Sequence, residues 1–234
     1  MSIREHLDIS AYLVIGPENC NRPIEEIVAA AVGEGFTCVQ IRSKVATARE
    51  MISILEKSAQ VIHELGKSDS VALLVDDRLD VVLAAREAGI KVDGVHVGQS
   101  DIPVEVCRKF LGSDSIVGLS ARTEELIDYV KTADVSQIDY FGAGPLHKTQ
   151  TKLDAGKTSD GKFITHGFEE FAELAKVSPI PVVVGGGVKL KDIPALVATG
   201  VQGFFVVSAV AGADNPKLAA RELVNARKNN SLKK

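Results

Sequence analysis

D-Y-F-G-A-G-P-L-H-K-T-Q-T-K, residues Asp139 to Lys152, decides how this chain is read. It opens apolar and aromatic, breaks at Gly142, Gly144 and Pro145, and then runs into donors: Lys148, Thr149, Thr151 and Lys152. A short buried strand ending in an anion-holding loop has this form. Glycines let backbone N–H groups approach a bulky anion, while hydroxyls and ammonium groups add donors and charge. Phosphate is the expected anion, and a solvated turn is the plain alternative. His147 is either a further donor in that loop or an exposed side chain.

Outward from this unit, the same strand-then-helix pattern fills the chain. Short β-branched runs occur at Ala11 to Ile15, Cys38 to Ile41, Ala72 to Val75, Gly94 to Val97, Ile116 to Leu119, Tyr140 to Phe141, Val182 to Val184 and Phe204 to Val207. Helical patterns lie between them at Ile24 to Glu34, Thr47 to Leu65, Leu79 to Ala88, Glu124 to Lys131, Phe168 to Val177, Ile193 to Ala198 and Lys217 to Arg227, with a weaker one after Pro103. Such alternation predicts parallel pairing through βαβ crossovers. Eight units in 234 residues fit a single (β/α)8 TIM-type barrel over 1–234 better than an open doubly wound sheet. The longest aperiodic stretch, Leu153 to His166, reads as a candidate flap. The polar tail from about Lys228 is expected to fray.

A barrel of this kind places its chemistry at the C-terminal ends of the strands. Polar residues do follow nearly every run: Gln40, Arg42 and Lys44; Asp76, Asp77 and Arg78; His96, Gln99 and Asp101; Ser120 and Arg122; the Thr-Lys loop; Gly185 to Gly187; and Ser208. They are expected to converge on one mouth.

Composition narrows the partners. A formal net charge of -4 with scattered basic residues leaves no footprint for nucleic acid or anionic lipid. The three cysteines, Cys20, Cys38 and Cys107, have no metal spacing and read as reduced thiols. No apolar run has the length of a signal or a membrane span, so a cytoplasmic protein with small-molecule substrates is expected. Oligomeric state is undecided at this level, and a homo-oligomer stays open.

Asp77 and Asp101 are the carboxylates best placed to hold magnesium, which takes one or two protein carboxylates plus substrate phosphates. Each also stands where it could cap a helix. Arg42 and Lys44 alternate along extended chain and could point two cations out of the mouth, with a solvated surface pair as the alternative. Gln40 shares their face, and its amide suits the edge of a heterocycle. Gly186, Gly187, Val207 and Ser208 match the phosphate site of such barrels, where loops and a short helix N-terminus hold the anion. His96, inside an apolar run, reads as a satisfied histidine in or behind the site rather than a metal ligand.

Together Y-L-V near the start, V-Q-I-R-S-K from Val39, D-D-R from Asp76, D-G-V-H-V-G-Q-S-D from Asp93, G-L-S from Gly118, the opening stretch, P-V-V-V-G-G-G-V from Pro181 and V-V-S-A-V from Val206 resemble the thiamine phosphate synthase family. The resemblance covers nearly the whole barrel in order. It implies a transferase that joins 4-amino-2-methyl-5-hydroxymethylpyrimidine diphosphate to a thiazole phosphate, giving thiamine phosphate and pyrophosphate by dissociative loss of pyrophosphate. It further implies that Gln40, Arg42, Lys44 and Lys152 bind the pyrimidine diphosphate and that Asp77 and Asp101 hold Mg2+. Ser120 would face the pyrimidine or its leaving group. Thr149, Thr151, Gly186, Gly187, Val207 and Ser208 would hold the thiazole phosphate.

Three departures from the family pattern stand out: Asp76 where asparagine is usual, Arg122 where histidine is common, and Gly16-Pro17 near the first strand. Arg122 is expected to offset the charge of Asp76. A thiazole tautomerase of the same superfamily and a non-catalytic phosphate-ligand barrel are the alternatives. The tautomerase would not need Arg42, Lys44, Asp77, Asp101 and Lys152 together.

Overall fold

The computed structural model describes residues 2–148 and 161–232. The β-branched runs become parallel strands: β1 (Ala11–Ile15), β2 (Cys38–Ile41), β3 (Ala72–Asp76), β4 (Gly94–Val97), β5 (Ile116–Ser120), β6 (Tyr140–Ala143), β7 (Val182–Val184) and β8 (Gly203–Val206). They close into a barrel in sequence order, with β8 pairing back onto β1. The helices are α1 (Ile24–Gly33), α2 (Ala48–Glu64), α3 (Leu79–Glu87), α4 (Val104–Leu111), α5 (Leu126–Thr132), α6 (Phe168–Val177), α7 (Ile193–Thr199), the single turn α8 (Ser208–Ala211) and α9 (Pro216–Ser231). Among the described residues, no helix is long and apolar enough to cross a membrane.

Strands in such a barrel are buried on both faces, which is why they read as unbroken apolar runs. Successive side chains still point to opposite sides, and two cores result. Leu13, Val39, Leu73, Val95 and Val117 face the helices and pack with residues such as Val28, Met51 and Val82. Tyr12, Cys38, Leu74, Ile116, Tyr140 and Val183 fill the barrel interior. Continued one or two steps along each strand, the inward register delivers Gln40, Asp76, His96 and Ser120 to the C-terminal mouth. Position parity, rather than any local motif, sets which polar residues meet there.

Local chemistry explains the element ends. Thr47 and Glu50 form a capping box that starts α2, and the Asn215 side chain accepts from Leu218 N at 3.0 Å at the start of α9. The tail differs from its expected fraying, because α9 continues through Ser231. Leu223 and Val224 anchor its buried face, and Asn230 Nδ2 donates to Ala226 O at 2.7 Å within the last turns.

Candidate active site

One cavity opens at the C-terminal mouth. On its β2 to β5 side it is lined by Gln40, Arg42, Asp76, His96 and Ser120, and on its β7 to β8 side by Gly186, Gly187, Val207 and Ser208. Thr149, Thr151, Lys152 and most of the candidate flap lie outside the described residues. Of the described part of that stretch, His166 is tied to the sixth-strand loop by its N–H, which donates to Pro145 O at 2.9 Å.

The acidic and basic residues at the ends of β2, β3 and β4 form one charge cluster. Arg42 Nε lies 3.0 Å from Asp76 Oδ2, and Lys44 Nζ lies 4.0 Å from the same oxygen. The Lys44 ammonium also donates to Asp77. Arg42 and Lys44 therefore reach the same side, as their alternation predicts. Glu18, after β1, holds this segment: its carboxylate accepts from Ser43 Oγ at 2.8 Å and from Lys44 N at 2.9 Å. Burial works against the Glu18 charge, but these donors outweigh it and the carboxyl sits below its ordinary range.

Asp77 and Asp101 do not act as helix caps. The first turns of α3 and α4 follow Arg78 and Pro103, and neither receives a side-chain cap. The two carboxyls instead make a hydrogen-bond contact with each other, and Asp101 also accepts from Gly98 N at 2.9 Å. Burial is the first influence on Asp101, then the bond and charge of Asp77, and together they push its pKa up. At Asp77 burial also works upward, yet bonds from Lys44, Asp76 and Asp101 prevail and pull it down. Asp77 adopts φ 60°, a left-handed backbone that aspartate tolerates better than most residues. Two hard oxygen donors held this close suit a divalent cation, which would relieve their repulsion. Among the described residues no group of three or more His, Cys, Asp or Glu could hold a metal, so such a cation would draw its remaining ligands from substrate and water.

Arg122 does not stand where its expected role requires. Its guanidinium lies 5.1 Å from the Tyr129 ring centroid, with Nε 3.4 Å from Gln99 Oε1. The charge of Asp76 is met by Arg42 and Lys44 instead. The pairing failed because the chain leaves the strand after Ser120, so Arg122 is exposed on the loop that follows, with its guanidinium on Tyr129 of α5. Gly16, another departure, has a steric reason: a Cβ there would sit 1.7 Å from the Arg42 carbonyl oxygen. Glycine is what lets the β1 and β2 ends approach.

The ends of β6 and β7 are stitched together by backbone hydrogen bonds. Leu146 N donates to Gly185 O at 3.0 Å and His147 N to Gly186 O at 2.9 Å. Gly186 and Gly187 lie at φ 82° and 73°, conformations that leave no room for a side chain against Pro145 and His147. The His147 imidazole reaches Asp192, Nε2 to Oδ2 2.9 Å, which fixes the loop from the other side. The short helix α8 begins at Ser208, beside this turn. Backbone N–H groups of a glycine turn and of a helix start form an anion cradle.

Sequence reasoning missed the layer beneath the mouth. Tyr12 and Tyr140 stand in the first and sixth strand runs with no role assigned, yet their hydroxyls are 2.9 Å apart and link Gln40 to His96. Inward parity with Gln40 and His96 was the available signal.

The fold and its polar mouth define an enzyme of the (β/α)8 barrel class. Residues 11–210 match the thiamine monophosphate synthase family. A thiamine-phosphate synthase of Corynebacterium efficiens is 38% identical over 93% of this chain and 94% of its own, and one of Vibrio parahaemolyticus is 36% identical over 92% and 96%. The solved thiamine phosphate pyrophosphorylase of Pyrococcus furiosus superposes with a TM-score of 0.76 at 29% identity, covering 94% of this chain and 96% of that one. The chain belongs to the thiamine monophosphate synthase family. It is thereby a transferase of thiamine biosynthesis.

Proposed function

We propose that the enzyme condenses 4-amino-2-methyl-5-hydroxymethylpyrimidine diphosphate with 4-methyl-5-(2-phosphoethyl)thiazole, or its carboxylate, to give thiamine phosphate and pyrophosphate. The observation that carries this reading is the two-sided cavity. The Arg42 guanidinium and a ring-reading amide line one side, and a glycine cradle with a helix start lines the other, as two phosphorylated substrates would need.

Gln40 holds the edge of the pyrimidine ring, and its amide offers both a donor and an acceptor. Arg42, Lys44 and Lys152 hold the diphosphate, the guanidinium through its fork and the ammonium groups as point charges. Asp77 and Asp101 hold magnesium, which supplies positive charge against the departing pyrophosphate. Gly186, Gly187, Val207, Ser208, Thr149 and Thr151 hold the thiazole phosphate, so that the thiazole nitrogen faces the pyrimidine methylene carbon. The C–O bond to the diphosphate breaks first; its electrons leave with pyrophosphate, and the nitrogen lone pair then forms the new C–N bond. No protein nucleophile or base is required. The apolar walls formed by Val14, Val183 and Phe205 keep water from the intermediate cation.

Incubation of the purified protein with both substrates tests the reading. Thiamine phosphate and pyrophosphate form together with magnesium present and stop on chelation. Binding of both substrates with no product under any divalent cation would replace the enzyme with a ligand-binding barrel.

A further inference from the structure

Five side chains from β1, β2, β4, β5 and β6 form an unbroken hydrogen-bonded chain across the barrel interior. Gln40 Nε2 donates to the Tyr12 hydroxyl at 2.6 Å, and the Tyr12 and Tyr140 hydroxyls are 2.9 Å apart. The Tyr140 hydroxyl is 2.9 Å from His96 Nδ1, and His96 Nε2 is 2.9 Å from Ser120 Oγ. Both ends, Gln40 and Ser120, line the substrate cavity.

The barrel leaves space for this chain at a place where a side chain would otherwise stand. A Cβ on Gly118 would lie 2.4 Å from the Tyr140 hydroxyl and 2.5 Å from His96 Nδ1, pressed against their bond from the side. One on Gly142 would lie 3.1 Å from His96 Cε1.

One proton arrangement runs along the whole chain from its first donor. An amide nitrogen only donates, so the Tyr12 oxygen accepts from Gln40, and the Tyr12 proton directed to Tyr140 continues the chain. Tyr140 in turn gives its proton to His96 Nδ1. A neutral imidazole that accepts at Nδ1 carries its proton on Nε2 and donates to Ser120 Oγ. The hydroxyl proton of Ser120 is then left to point into the cavity.

We infer that Tyr12, Tyr140 and His96 are positioning residues that hold His96 as the neutral Nε2–H tautomer and so present Ser120 to the bound substrate as a hydrogen-bond donor. A donor there matches an acceptor atom of the pyrimidine diphosphate, either a ring nitrogen or an oxygen of the departing group. The role at the substrate rests on the proposed synthase reading; the tautomer does not.

Nitrogen-15 spectra of the full-length enzyme labelled at histidine, recorded without ligand, test the tautomer. His96 is expected neutral with its proton on Nε2, and a Nδ1–H form or an imidazolium overturns the inference. Tyr140→Phe removes the donor to Nδ1, so the Nε2–H preference is lost and kcat falls about 10-fold, the loss of one hydrogen bond, with KM for the thiazole phosphate unchanged. Combining it with Ser120→Ala adds nothing beyond Ser120→Ala alone; multiplicative losses, or an unchanged tautomer in Tyr140→Phe, overturn the relay. Should Tyr140→Phe fail to fold, the tautomer in the unaltered enzyme still decides the inference, with Nε2–H upholding it and Nδ1–H overturning it. An Nε2–H His96 in a protein that makes no thiamine phosphate would retain the relay and remove only the functional reading.

Discussion

Asp77 and Asp101 hold their carboxyls in hydrogen-bond contact across the ends of β3 and β4, with the Lys44 ammonium on Asp77. Asp101 is pushed up and Asp77 pulled down, so Asp101 is the one of the two that takes up a proton first as pH falls. A cation at this pair competes with that proton. Magnesium affinity is therefore expected to strengthen as pH rises through the raised Asp101 pKa and to weaken below it, while Asp77 stays ionised. Asp101→Asn should abolish this dependence and raise the magnesium needed for half-maximal rate about 10-fold, one ligand's contribution. Magnesium titrations of the rate at several pH values check both.

Removing the same charge should help the fold. A carboxyl with a raised folded-state pKa lowers stability as pH rises past its unfolded value. Asp101→Asn is expected to raise the melting temperature of the magnesium-free protein above the range where Asp101 would ionise, and to leave it unchanged in acid. Calorimetry across pH measures this.

Gly118 carries a steric prediction. A Cβ there would stand 2.3 Å from Tyr140 Cζ, inside a barrel with both tyrosines fully buried. Gly118→Ala should destabilise the enzyme by about 2 kcal/mol through overpacking, read as a shift of the urea midpoint without change in slope.

The glycine cradle predicts a split in kinetic effects. Gly186→Ala would force a Cβ to 2.4 Å from Pro145 at φ 82°. KM for the thiazole phosphate should rise by about 10-fold or more as its anion donors are displaced, with KM for the pyrimidine diphosphate little changed. Initial-rate kinetics with each substrate varied in turn separate the two.

Asp76 and Arg122 should behave independently. Asp76 lies against Arg42 and Lys44, and Arg122 against Tyr129 and Gln99. The changes Asp76→Asn and Arg122→His are expected to add within about 0.5 kcal/mol in kcat/KM. A larger coupling would show that the two side chains act together through substrate.

The strands were legible because β-branched residues buried on both faces leave long apolar runs bounded by glycine and polar residues. β1, β2, β4 and β7 begin and end where those runs do. Gln40, Asp76, His96 and Ser120 were legible as mouth residues because polar side chains cluster at the C-terminal ends of the apolar runs. Partnerships across the barrel were not: Tyr12 and Tyr140 are 128 positions apart, and nothing local marks either hydroxyl as bonded. Nor does proximity in sequence to Asp76 reveal that Arg42, one strand away, answers its charge. The helical state of Lys228 to Ser231 was hidden because α9 is held by its earlier buried face rather than by its polar end.

The claim that most depends on geometry is that one mouth grips two phosphorylated rings. A crystal structure of the enzyme with magnesium, thiamine phosphate and pyrophosphate measures it directly. Pyrophosphate should lie against Arg42 and Lys44 with the cation on Asp77 and Asp101, and the thiazole phosphate against Gly186, Gly187 and Ser208. Pyrophosphate away from Arg42 and Asp77, or a thiazole phosphate outside the glycine cradle, would contradict the account.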